Sequence, residues 1–273
     1  MRVERHDVAL AATLHDVTGA LAHDVRRWLP WLQARYAAVA VATSPPTSRR
    51  IVSLLRDGGA YAGSPPSNTR GPLYRLSIRR ALVSGAGRVH YLDFDRALHW
   101  AATAPRELPR VLRAARPVPT LVIGRTPRAH LSHHRPLHAT EGVVNRLFAE
   151  RLGIAAHVDF LLPSFVVDRA GAKRLLARSR TRDAAIYGEW AALLAGFSGG
   201  VGYVACRGLD WETPDRHRRA VRRLGIAEWR RRQETPAEWA LRIDMAAKIV
   251  RGFTRTLDRW PALPSAMARL SRS

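Results

Sequence analysis

Short apolar runs alternate with amphipathic stretches along most of the chain, and that alternation limits the folds open to it. Residues 8–13 (Val-Ala-Leu-Ala-Ala-Thr), 36–43 (Tyr-Ala-Ala-Val-Ala-Val-Ala-Thr), 60–62, 89–92 and 119–124 read as strands, because each run is too short for a helix. Between the first two, Leu21, Val25, Trp28, Leu29 and Leu32 recur at helical spacing, with Pro30 as a kink. Ser44-Pro45-Pro46-Thr47 breaks the chain before a helix through Leu54, and Leu73, Leu76, Ile78 and Leu82 mark another. Strand and helix in this order predict an α/β fold, a mixed, mainly parallel sheet flanked by helices. Ligands of such sheets bind beyond the C-terminal ends of the strands. Asp16, Thr43, Asp93 and Asp95 all fall at such ends.

Asp93-Phe94-Asp95 is the pair with the most chemistry. In extended chain an i, i+2 spacing puts both carboxylates on one side. Two acids side by side at a strand end are costly unless a cation lies between them. Oxygen-only ligands suit Mg²⁺ or Mn²⁺, and such ions are commonly shared with substrate phosphates. The motif is short, and a solvated turn explains it as well when it stands alone. Its place at a strand end, with Asp16 and Thr43 at neighbouring ends, favours a site.

The second half continues the pattern. Four histidines, His130, His133, His134 and His138, invite a zinc reading, but Pro136 keeps them off one undisturbed helical face. Residues 158–167 are strand-rich and broken by Pro163, a short helix follows over 168–176, and Gly188-Glu189-Trp190 opens another helix. Residues 201–205 form a last strand. The texture then turns helical and Arg-rich. We therefore expect a catalytic domain over 1–213 and a C-terminal helical extension over 214–273 packed on it, with a loosely held tail after Pro264. Thr235-Pro236-Ala237-Glu238 reads as a capping box, opening a helix with Trp239, Ile243, Ala246, Ile249, Val250 and Phe253 on its apolar side.

The net charge of +23 points to phosphate-bearing partners or an anionic membrane surface. Only Lys173 and Lys248 are lysines, and arginine is spread along the whole chain, so base composition explains the charge as well as a patch does. Arg218, Arg219, Arg222 and Arg223 share one helical face, which is expected to meet anionic headgroups. Cys206 is the single cysteine, which excludes a disulfide framework and fits a reducing, cytoplasmic setting. No apolar run approaches the ~20 residues of a membrane-spanning helix.

With these residues laid out, the chain resembles the GT-A type glycosyltransferases, nucleotide-sugar-dependent enzymes of bacterial kind, over roughly residues 8 to 213. Asp16 matches the position that holds the nucleotide base. Asp93-Phe94-Asp95 matches the family's Asp-x-Asp, which binds the metal and the sugar-nucleotide diphosphate. Residues 161–167 and the helix after them match the acceptor-side strand and helix. Glu189 matches an acid facing the acceptor hydroxyl, although Trp190 replaces the family's second acid. A late metal-binding histidine has only His217 as a poor counterpart. The resemblance implies a divalent-metal-dependent transfer of a sugar from a nucleoside diphosphate to an unknown acceptor. Donor contacts are then expected at Thr13, Leu14, His15, Asp16, Thr43, Asn68, Arg70, Arg79, Asp93, Phe94 and Asp95, with Asp93 and Asp95 as ligands of Mn²⁺ or Mg²⁺. Catalytic acids are expected at Glu189, with Asp210 and Glu212 of Gly208-Leu209-Asp210-Trp211-Glu212 as further candidates.

The chemistry fits these residue types on its own terms. A divalent ion between two aspartates neutralises a leaving diphosphate, and guanidinium groups such as Arg70 and Arg79 add to that. A carboxylate beside the acceptor oxygen serves as general base. A helix-opening acid such as Glu189 is equally explained by the helix dipole, and Asp210 and Glu212 by a solvated loop. A nucleic-acid-binding protein accounts for the charge but not for the acid pair. A nucleotidyltransferase also needs paired acids, but the chain lacks a Gly-rich phosphate loop followed by Lys. Loss of catalysis, with the single acid at Glu189, is the fourth reading.

Overall fold

A computed structural model describes residues 4–155, 158–161, 164–197 and 200–260. The tail after Pro264 and the break at Pro163 lie outside the described residues. Among those described, seven strands form one sheet: β1 (His6–Leu14), β2 (Tyr36–Thr43), β3 (Tyr61–Gly63), β4 (Arg88–Asp93), β5 (Thr120–Arg125), β6 (Phe165–Asp168) and β7 (Val201–Cys206), in the order β3-β2-β1-β4-β6-β5-β7. β6 runs antiparallel to β4 and β5, and the other pairs are parallel. The expected mixed, mainly parallel sheet is therefore present. Residues 8–13 form a strand despite their alanines, because both faces are covered and small side chains let the helices approach.

Strand alternation sends side chains into two layers. Val8, Leu10, Ala12 and Leu14 join the layer formed with α1 (Ala22–Gln33), α2 (Arg49–Asp57), α4 (Phe94–Thr103) and α5 (Glu107–Ala114). Ala9, Ala11, Val89 and Tyr91 join the other layer, with α3 (Arg70–Val83), α7 (Arg135–Leu152), α8 (Arg169–Arg178), α9 (Ile186–Ala195) and α12 (Pro236–Arg259). The helices α6 (Pro127–Ser132), α10 (Arg218–Leu224) and α11 (Ile226–Arg232), with a 3₁₀ turn at Thr213–His217, complete the chain. Pro30 lies inside α1 without ending it.

The C-terminal helix packs on the same body. Where α9 and α12 cross, a Cβ on Gly188 would lie 1.9 Å from the Ile249 carbonyl oxygen, and one on Gly252 would lie 2.1 Å from that of Ala185. Only glycine fits either place, so Gly188 in the Gly188-Glu189-Trp190 stretch serves the helix crossing. Only the N-cap half of the expected capping box forms: Thr235 Oγ1 accepts from the Glu238 amide at 3.2 Å, while the Glu238 carboxylate turns to Arg242 at 2.7 Å. The buried stripe of α12, however, is Ile249, Gly252, Phe253, Thr256 and Leu257, and Ile243 is exposed. The first half of α12 extends past the body it covers.

Candidate active site

β4 ends at Asp93 and α4 begins at Phe94, so the acid pair straddles a strand-to-helix junction. The extended i, i+2 geometry is thus corrected: Asp95 sits in the first turn of α4. Both carboxylates still line one cavity of about 350 Å³, because the helix turns its N-terminus toward the strand end. The cavity lies between the N-terminus of α3, the end of β1 and Tyr187 of α9. Thr13, Leu14, His15, Asn68 and Arg70 line it. Thr69, Tyr74, Tyr187, Ser44 and Arg216 line it as well and carry no sequence motif that marks them.

Thr13 Oγ1 donates to Asp93 Oδ1 at 2.6 Å. Arg96 Nε lies 3.8 Å from Asp93 Oδ2. Burial, and then the neighbouring Asp95 charge, push the Asp93 carboxyl up to about 6. Asp95 Oδ1 accepts from the Arg96 amide at 3.0 Å, and Asp95 Oδ2 accepts from Arg216 Nη2 at 2.6 Å. Arg216 Nη1 also donates to the carbonyl of His15. A cation from far along the chain therefore stands against Asp95. The Tyr74 and Tyr187 hydroxyls hydrogen-bond to each other, and Arg70 faces Tyr187 and Asp93.

Several expected site residues are placed elsewhere. Asp16 is 2% exposed, and its carboxylate accepts from the amides of Gly19, Ala20 and Leu21. It holds the loop that leads into α1 rather than opening onto the cavity. Thr43 is fully buried and shares a hydrogen bond with Ser64. Phe94 is fully buried in the layer beneath the sheet, because the residue between two rim acids points the opposite way. Arg79 is exposed, more than two turns down α3 from Arg70. None of these four lines the cavity.

Glu189 is the largest correction. It is 5% exposed, and both oxygens are engaged: Ser179 Oγ donates at 2.6 Å, the Arg180 amide at 2.6 Å, and the Thr181 amide at 3.2 Å. Its carboxylate organises the α8–α9 connection. From the same helix it is Tyr187, not Glu189, that reaches the cavity. Asp210 accepts from His99 Nε2, and Asp215 from His99 Nδ1, both at 2.7 Å. Burial alone would lower the His99 pKa, but the two carboxylates outweigh it and lift it to about 10. Glu212 lies 3.7 Å from Arg96 and 3.9 Å from His133, with Oε2 free of hydrogen-bond partners among the described residues. Arg96 thus faces Asp93 and Glu212 together.

The histidines do not gather. His130 bonds to the His138 carbonyl and His133 to that of Ala129, and among the described residues no group of three metal-ligating side chains forms. His217 stacks on Trp229, with ring centroids 5.3 Å apart, instead of reaching Asp95. Arg219, Arg222 and Arg223 are exposed, whereas Arg218 is tied to Asp24 at 2.7 Å, so the four do not form one free face. No helix among the described residues is long and apolar enough to cross a membrane.

No protein-family model and no curated protein sequence matches the chain. Solved structures do. Mannosyl-3-phosphoglycerate synthase from Rubrobacter xylanophilus aligns at 15% identity over 94% of this chain and 76% of its own, with a TM-score of 0.55. Glucosyl-3-phosphoglycerate synthase from Mycobacterium tuberculosis, in complex with Mn²⁺, uridine diphosphate and glucosyl-3-phosphoglycerate, aligns at 10% identity over 92% of this chain and 80% of its own, with a TM-score of 0.50. At such identities the likeness speaks for architecture, and the chain has the GT-A type fold of these glycosyltransferases.

Proposed function

We propose that the chain is a glycosyltransferase that moves a sugar from a nucleoside-diphosphate sugar to an acceptor hydroxyl, with Mn²⁺ or Mg²⁺ held by Asp93 and Asp95. One observation carries the reading: both carboxylates line one cavity at the C-terminal rim of the sheet, with the Arg216 guanidinium already against Asp95. Two carboxylates on one cavity wall offer hard oxygen donors of the kind that suit a divalent ion. With two protein carboxylates, the remaining positions fall to substrate phosphate and water. The bound ion would act as a Lewis acid toward the leaving diphosphate.

The chain's own residues supply the rest. Thr13 fixes the Asp93 carboxylate by its 2.6 Å hydrogen bond. Arg70 and Arg216, both on the cavity wall, are placed to meet phosphate charge. Leu14, His15, Ser44 and Asn68 form the side on which the nucleoside would rest. Arg96 links Glu212 to Asp93, so Glu212, 8% exposed and outside the cavity wall, serves to position Arg96. The two similar structures have names that describe sugar transfer to phosphoglycerate, which supports sugar transfer here.

Titration calorimetry with uridine diphosphate and Mn²⁺ tests the proposal. Asp95→Ala is expected to weaken metal-dependent nucleotide binding by about 100-fold, the worth of a lost charged ligand, while the melting temperature of the free protein stays near the parent's. Unchanged affinity would reduce the acid pair to a turn.

A further inference from the structure

A second, larger cavity of about 690 Å³ lies outside the Asp93 cleft and shares no lining residue with it. The α4–α5 connection, α5, the start of α6 and the segment after β7 enclose it. Each brings an exposed arginine to the wall: Arg106, Arg110, Arg128 and Arg207. Neither acid on the wall answers them. Glu107 accepts from the backbone amides of Arg207 and Gly208, at 2.9 and 2.8 Å, and Asp210 is held by His99 at 2.7 Å.

Several arginine pairs on this surface converge on a carboxylate, although a cavity between the α8–α9 connection and α12 gathers Arg178, Arg180, Arg182, Arg251, Arg255 and Arg259 without an ion pair among the described residues. Arg113 and Arg116 share Glu4, Arg231 and Arg232 share Glu228, and Arg218 joins Asp24 and Asp215. Around the cavity at α5, four guanidinium groups converge without an acid partner among the described residues. Like charges around a concavity focus the field and draw an anion to it. Arginine in particular matches phosphate with its fork of donors. The volume suits a small organic molecule rather than a bare ion.

We infer that this cavity is a binding site for a compact organic phosphate, separate from the donor cleft. Its charge comes from four chain positions brought together by the fold, and the inference does not depend on the chemistry assigned to Asp93. A soluble ester and a lipid headgroup offer the same phosphate. The walls make a concave site, so the soluble form is the one assigned.

Inorganic pyrophosphate is the probe, measured by titration calorimetry in EDTA at 0.15 M salt, where the diffuse field of the surface is screened beyond about 8 Å. Arg110→Glu/Arg128→Glu is expected to weaken binding by about 10-fold or more. Arg110→Gln/Arg128→Gln provides a milder variant if charge reversal harms folding, and about 3-fold loss is expected of it. Arg219→Glu/Arg223→Glu removes the same charge from an exposed helix and is expected to cost less than about 2-fold. Equal loss in both charge-reversal variants would reduce the site to diffuse charge and overturn the inference. Loss only on Arg70→Ala would assign the binding to the donor cleft and overturn it too. Sedimentation with anionic vesicles but no pyrophosphate binding would overturn the soluble ligand.

Discussion

Two groups of largely buried acids, one behind β5 and one at the rim of β4, are treated in opposite ways by the fold. Behind β5, Asp159 accepts from Arg125 Nε at 2.7 Å, from the Arg125 amide at 3.1 Å and from Asn145 Nδ2 at 2.8 Å. Glu141 takes Arg125 Nη2 at 2.6 Å. Burial alone would raise the Asp159 carboxyl, but the Arg125 charge overrides it and holds the group far below the usual carboxylate range. At the β4 rim, Asp93 has one hydrogen bond of that quality, from Thr13, and is pushed up. The same residue type is thus held by short charged hydrogen bonds in one place, and in the other meets its nearest guanidinium only at 3.8 Å. A saturated acid holds structure, and an unsaturated one on a cavity wall is available for a ligand.

The acids behind β5 depend most on Arg125. Arg125→Met keeps much of the side-chain volume but strands Asp159 and Glu141 without their cation. Removing one partner of a buried ionic group costs about 3–5 kcal/mol. Chemical denaturation should show a loss of that order, with the Asp93 cavity spared in what remains folded. A loss below about 1 kcal/mol would mean that water reaches this group.

Glu189 belongs to the saturated class, although its position suggests a catalytic base. Glu189→Gln keeps one acceptor but loses the charge that holds Ser179 and two backbone amides. It is expected to cost about 1–3 kcal/mol of stability with nucleotide affinity unchanged. Turnover should stay within about threefold of the parent enzyme, far from the ~10²–10⁴-fold loss of a missing general base. Unchanged stability with lost turnover would return the base role to Glu189.

The sequence carries the fold further than the site, and the reasons are local. Strand runs such as residues 36–43 are legible because apolar period and length are local properties, and β2 spans Tyr36–Thr43 as expected. Asp93 and Asp95 are legible because a strand end fixes their position. Asp16 and Glu189 mislead for a shared reason. Each stands where a ligand-facing acid would stand, but each is consumed by backbone amides a few residues away. Short loops that fold back on an acid leave little trace in sequence. Arg216 escapes a sequence reading for the opposite reason: it meets Asp95 across 121 residues, and no local pattern records such a contact.

The smallest expected effect isolates the rim itself. The Asp93 carboxyl is raised to about 6 in the folded protein, by burial and by Asp95, so folding favours its protonated form. Ionised Asp93 therefore costs stability. The cost is absent well below the unfolded value near 4, grows as pH rises toward 6, and is complete above it. Asp93→Asn keeps an acceptor for the Thr13 hydroxyl but removes the charge. The free protein should gain about 1–2 kcal/mol at pH 7, and the gain should fade toward zero near pH 4. The same substitution should weaken Mn²⁺-dependent nucleotide binding, so that stability and function move in opposite directions at one atom group. No such opposition is expected at Asp159, where Asn removes a charge that Arg125 needs and lowers stability at pH 7. Urea denaturation of both variants at pH 4 and pH 7 measures the contrast. A stability change at Asp93 that is independent of pH would mean that its charge is already compensated in the folded protein. The rim would then lose its distinction from the saturated acids behind β5.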